Sequence, residues 1–236
     1  MTQDIDKIEQ LVIDTICETP LDFCIKGEQL YLYPVTLGKT YMLGRLLRML
    51  KIDKNLMSVN PMLECYRLAY EQQDICAEII AIHTCKGKKE VMDAKLMRKR
   101  IELLKTLSAD ELGGILVHVL SDNTTDTLIK HYEIDKELNR LQRIQSSKQD
   151  GGNLTFGGKS VYGTLIDAAC ERYGWHFDYV LWTISYANLR MLMADSIKTV
   201  YLSEEERKKM CISTDGVSIN MDDDNAFERL MKYNWD

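Results

Sequence analysis

The chain has 236 residues, 45% of them hydrophobic, and 30 Lys and Arg against 36 Asp and Glu give a formal net charge of −6. That length and apolar fraction suffice for a packed core in one large domain or two modest ones. The acid excess excludes the usual nucleic-acid binder, whose affinity rests on neutralising phosphates, and no apolar run nears the roughly eighteen residues of a membrane span.

Acid outnumbers base in both halves: 9 Lys and Arg against 13 Asp and Glu over residues 151–236, and 21 against 23 over residues 1–150. An electrostatic partner is therefore expected to be basic. The polar, acidic start MTQDIDKIEQ is unlike a signal peptide, so a soluble cytoplasmic protein is expected. Seven scattered cysteines, several among aliphatic residues at helical spacing, read as reduced packing residues.

The first predicted element is an amphipathic helix, with Ile5, Ile8, Val12 and Ile16 recurring at helical spacing. DFCIKGEQLYLYPV then alternates around a Lys-Gly-Glu turn and predicts a small hairpin closed by Pro34, because proline cannot donate to a ladder. From there the pattern is helical. One helix spans about 37–52 and another starts at Asn60, an N-cap followed by Pro61, and continues to near Gly87. A basic helix covers about 89–107, Ser108 and Glu111 form a capping box for the next, and DTLIKHYEIDKELNRLQRIQ makes one more.

Four of the 13 glycines fall between 151 and 158, which marks a boundary. GGNLTFGGKS resembles a phosphate loop, but the first glycine of that pattern would fall on Asn153, and the stretch follows a polar segment instead of a buried strand. Beyond it, a helix opening at Ser160 is predicted to run into Gly174, which suits a C-cap or a hinge, and a long aromatic helix to run from Trp175 to about Ile197. Ser203 with Glu206 forms a second capping box, and a terminal helix follows an acidic loop. The predicted fold is mainly α: a hairpin and helical bundle over 1–146, a Gly-rich linker over 147–159, and a smaller helical domain over 160–236.

Chemistry-bearing patterns are sparse. Cys76, His83 and Cys85 lack the paired spacing of a zinc site, and His118 in GGILVHVL reads as a core histidine. Asp222 to Asn225 lack the alternation and distal glutamate of a calcium loop. No nucleophile elbow, zincin or dinucleotide motif occurs, so no catalytic residue, metal ligand or cofactor is assigned. A small-molecule or metal-dependent enzyme is a minor alternative. The aromatic helix stands out instead: Trp175, Tyr179, Trp182 and Tyr186 recur with Leu189 on one stripe, and Phe177 lies on the adjoining face. So much apolar circumference exceeds what a small domain can cover, and Trp and Tyr dominate interface hot spots, so these six residues are the candidate partner-binding set.

QLYLYPVTLGK and YGWHFDYVLWTISYANLRML together resemble tail assembly chaperones of long-tailed bacteriophages, over about forty residues at two places. The resemblance implies a non-enzymatic helical protein of the host cytoplasm. It would shield the tape-measure protein, recruit the major tail protein, associate with itself along that client, and leave before the virion is mature. A resident component of a phage tail or baseplate is the alternative it implies.

Overall fold

The computed structural model describes residues 2–121, 124–147 and 159–202. It is mainly helical, with one small antiparallel sheet. Helix α1 (Thr2–Ile16) precedes a hairpin of β1 (Leu21–Ile25) and β2 (Glu28–Leu32). The register pairs Ile25 with Glu28 around a two-residue turn, in which Lys26 (φ 49°) and Gly27 (φ 84°) both take the left-handed conformation that such a turn needs. Ile25, Leu30 and Leu32 face the core, while Tyr31 is exposed on the other side and Leu21, the partner of Leu32 on the core face, is exposed at the start of β1.

Helix α2 (Leu37–Met49) follows, then α3 (Lys54–Val59) and α4 (Pro61–Glu71). Asn60 caps α4 by accepting from Leu63 N, as its place before Pro61 predicts. The helix expected to continue to Gly87 breaks at Gln72, which leaves helical geometry (φ −138°, ψ 46°) before α5 (Gln73–His83) begins. The break is held from outside. Gln73 Nε2 donates to the carbonyls of Lys105 and Leu107, and the Gln72 amide lies between Met49 O and Lys51 N. Realigning the chain there turns α5 into the most buried helix, with Cys76, Ala77, Ile79, Ile80 and Ala81 at zero exposure.

The expected basic helix is likewise two pieces, α6 (Lys88–Val91) and α7 (Ala94–Leu104), because Asp93 accepts from Lys95 N and Leu96 N as a fresh N-cap. Helix α8 (Ala109–Leu120) opens on the predicted capping box of Ser108 and Glu111, with both reciprocal bonds present. Helices α9 (Thr124–His131) and α10 (Ile134–Ser147) are separated at Glu133, whose φ is 55°. A π-helical turn (Tyr162–Ile166) leads into α11 (Asp167–Tyr173), which ends on Gly174 at φ 66°, the predicted left-handed cap.

The predicted aromatic helix does not run through. It is α12 (Phe177–Trp182), an interruption at Thr183–Ser185, and α13 (Tyr186–Ala194). Ser185 pairs as an isolated bridge with Thr36, and Tyr186 N donates to Val35 O at 2.6 Å. A continuous helix would have used those groups internally; here they complete the extended chain leaving the hairpin.

The chain forms two compact units. One contains residues 1–137 with 155–196, the other residues 138–154 with 197–236. Residues 160–196, expected to belong with the rest of 160–236 in a separate domain, share a body with the hairpin and bundle, because α12 and α13 pack on α2 and α9. Of the second unit, the described part is residues 138–147 of α10 and residues 197–202. The predicted linker falls outside the described residues except at its ends. So do the second capping box, the acidic loop, the terminal helix and Cys211.

Two apolar clusters hold the larger unit. The first joins the hairpin to α2, α4, α5, α7 and α8. The second gathers Leu37, Ile166, Ala169, Val180, Ile184 and Leu189. Glu64, fully buried, accepts from Arg67 Nε at 2.8 Å and from Asp53 N at 2.7 Å. That pairing keeps its carboxyl below the usual range, the Arg67 bond being the main cause, and ties α4 to the chain entering α3. Among the described residues no helix is long and apolar enough to cross a membrane.

Candidate functional site

The segment 34–39 is a cradle for the aromatic segment. Leu37 enters the second cluster beside Val180, Ile184 and Leu189. Gly38 lies directly under the indole of Trp182: a Cβ there would stand 2.8 Å from Cζ3 and 2.9 Å from Cη2. Thr36 and Val35 supply the bridge and the carbonyl described above. From the turn that follows α1, Glu18 reaches the same place, its Oε1 accepting from Ser185 N at 2.7 Å and Asn188 Nδ2 at 3.1 Å. A carboxylate at the first turn of α13 also meets the positive end of that helix.

One residue beyond Gly38, Lys39 is fully buried and its ammonium donates to Cys85 O, just past the end of α5. It lies 5.8 Å from the centre of the Tyr33 ring. Arg100 joins it there, donating to Thr84 O at 2.8 Å and pairing with Glu90 at 3.1 Å. Two cations thus meet carbonyls that end a helix, where the backbone dipole is negative. Burial nonetheless pushes the Lys39 ammonium down to about 8, with Cys85 and Glu90 opposing that shift and Arg100 adding to it. The Cys85 thiol is pushed up by burial, as are Cys65, to about 11, and Cys76, to about 12. Those three buried thiols are packing groups, in keeping with the sequence; Cys17 and Cys24 are exposed.

The six aromatic-segment residues have different fates. Leu189 is fully buried and offers no surface to a partner. Trp182 and Tyr186 are half-buried, the first against Gly38 and the second within the second cluster, with the Arg190 guanidinium 5.9 Å from its ring centre. Of the other rings, Trp175 is half-buried against the second cluster, while Phe177 and Tyr179 are exposed. Tyr173 stacks on Trp175 at 4.6 Å between centres, and Trp175 meets Tyr179 at 5.1 Å. Tyr179 remains 39% exposed and Phe177 49%. The outward surface is therefore a short aromatic ladder with Phe177 beside it.

That ladder borders a basic corner, which the net charge of the chain does not reveal. Lys88 Nζ binds Asp178 at 2.9 Å, and Gly87 approaches the carbonyl of Trp182. Residues 86–105 carry eight Lys and Arg against three Asp and Glu.

Elsewhere, a recess of about 450 Å³ between α1, the hairpin and α8 is lined by residues including Asp14, His83, His118 and Ser185. His83 Nδ1 lies 2.9 Å from Ile79 O. His118, expected in the core, is exposed, because the outer side of α8 turns it away from α4. No group of three His, Cys, Asp or Glu among the described residues is placed to hold a metal ion.

No protein-family model, curated protein or solved structure matches this chain.

Adding a methyl group at Gly38 should displace the Trp182 indole. Gly38→Ala is expected to cost about 1–2 kcal/mol by overpacking, since the distal ring edge has some freedom to move. Quenching and band shift of tryptophan emission, followed through urea denaturation, would register it; an unchanged midpoint would show that the ring does not sit on this glycine.

Proposed function

We propose that the protein is a non-enzymatic assembly chaperone of the phage-tail kind, which shields an amphipathic tape-measure client and recruits the major tail protein. The observation that carries this reading is that the two stretches resembling such chaperones, 29–39 and 173–192, form one structural unit. Thr36 pairs with Ser185, Val35 with Tyr186, and Gly38 receives Trp182. Docking those segments together leaves Tyr179 and Phe177 as exposed rings, with the half-buried Trp175 behind Tyr179, and exposed aromatic groups on such a base suit a helical partner. Self-association along the client, in the host cytoplasm, belongs to the same proposal.

Phe177→Ser with Tyr179→Ser is the informative double variant, because it strips exposed rings while sparing Trp182 and Tyr186, which hold the fold. Co-purification of a co-expressed tape-measure protein should fall about tenfold or more, as expected for loss of two hot-spot contacts. Retention of the client at wild-type yield by a variant with unchanged circular dichroism would remove this surface from the proposal. Recovery of the protein from purified mature particles would make it a resident tail component instead.

A further inference from the structure

We infer that the partner taken by the aromatic ladder is an acidic amphipathic helix, read by a basic corner built from the end of α5, α6 and α7. The inference rests on the proposed function for the ladder itself and adds the chemical character of the partner. Of the eight cations over 86–105, Lys88 pairs with Asp178, Lys99 with Glu28, Arg100 with Glu90 and Lys105 with Asp74. Asp93 is occupied as the N-cap of α7. Lys86, Lys89, Lys95 and Arg98 remain, all exposed and with no carboxylate partner among the described residues.

In a chain of net charge −6, four unmatched cations on adjoining short elements are a local excess that internal pairing does not explain. The corner also has apolar surface, since Met92 between them is 58% exposed. The Lys88–Asp178 bridge and the approach of Gly87 to Trp182 O join the start of this basic segment to α12, next in sequence to Phe177. A helix with an apolar stripe on the rings and carboxylates toward the corner would satisfy both. A polyphosphate fits less well. Tyr173 stacks on Trp175 and Trp175 meets Tyr179 at a tilt of 53° with 5.1 Å between centres, which leaves no gap between these rings for a base, and the remaining surface of the chain is acidic.

The test uses the full chain and two designed peptides of about 20 residues, roughly 30 Å long as helices. Both carry the same leucine and isoleucine stripe; one has glutamate at every polar position and the other lysine. By fluorescence anisotropy at low salt, the acidic peptide should bind at least about tenfold more tightly than its basic twin, a preference that shrinks as salt rises. Lys89→Glu with Arg98→Glu should erase that preference, whereas Phe177→Ser with Tyr179→Ser should weaken both peptides alike. Equal binding of the twins, or a preference that survives the charge reversal, overturns the inference; the ladder still stands if its own variant weakens both. A preference lost only on charge reversal, with no effect of the ring variant, supports the basic corner and removes the rings from the proposed function. Tighter binding of a thymidine oligonucleotide of similar length makes polyphosphate the ligand of the corner and overturns the acidic helix. Failure of both peptides to bind overturns both readings.

Discussion

Gly113→Ala is expected to lower the unfolding free energy by about 3 kcal/mol, while Gly114→Ala, one residue further on, is expected to raise it by about 0.5–1 kcal/mol. The two glycines stand side by side in α8 with the same backbone geometry, and each would gain helix propensity from alanine. Their surroundings reverse the sign. A Cβ on Gly113 would lie 2.3 Å from Cδ1 of Tyr66 and 3.0 Å from its Cα. The second contact is with backbone, so rotating the tyrosine cannot relieve it, and α4 must move off α8. Nothing lies within 4 Å of a Cβ on Gly114. Urea denaturation of both variants tests the pair: equal effects would mean that α4 and α8 do not approach this closely.

Lys39 should give the other large effect, as a pH dependence. Its folded value of about 8 lies below the ordinary 10.5 because burial disfavours the charged form. Below about pH 8 both folded and unfolded chains hold the proton, and the full cost of burying the ammonium is present. Between 8 and 10.5 the unfolded chain keeps the proton while the folded chain has released it, so rising pH favours folding. Over that window the contribution is about 3 kcal/mol, at roughly 1.4 kcal/mol per pKa unit. Other groups titrate there too, so the quantity to measure is the stability of the wild type minus that of Lys39→Met. It should rise by about 3 kcal/mol from pH 7.5 to 10.5. A flat difference would show that Lys39 reaches water.

The breaks in the helices explain what was legible in advance. Asn60 before Pro61 and the Ser108–Glu111 box are local signals, and both caps form as read because they involve only neighbouring residues. The breaks at Gln72 and at Thr183–Ser185 lack such a signal. Apolar spacing runs across both, and the interruption is held by groups far along the chain: Lys105 and Leu107 for the first, Val35, Thr36 and Glu18 for the second. Asp93 is an intermediate case. It is a good N-cap by type, but it sits inside a run whose period also suits one continuous helix.

The candidate site divides in the same way. Trp175, Phe177 and Tyr179 stand out by residue type alone, and the lysines and arginines of 86–105 are plain in the sequence once counted locally. Averaging them into the charge of the whole chain hid them. Which rings face outward was not legible, because one stripe on an unbroken helix would have given Trp182, Tyr186 and Tyr179 the same fate. Lys39 had no signal either, as a lysine at the start of an amphipathic helix is ordinarily solvated.

By itself, then, the order of residues determined the helical class, the hairpin with its Lys26–Gly27 turn, and the caps at Asn60, Ser108 and Gly174, since each depends on interactions within a few residues. Only the tertiary structure decided that residues 160–196 join the body of the bundle, that Gly38 is the seat of an indole, and that a lysine is buried at the end of α5. Those outcomes depend on contacts between groups 46 to 170 positions apart. Short-range periodicity carries no information about such pairings, because it records which face is apolar and not what that face will meet.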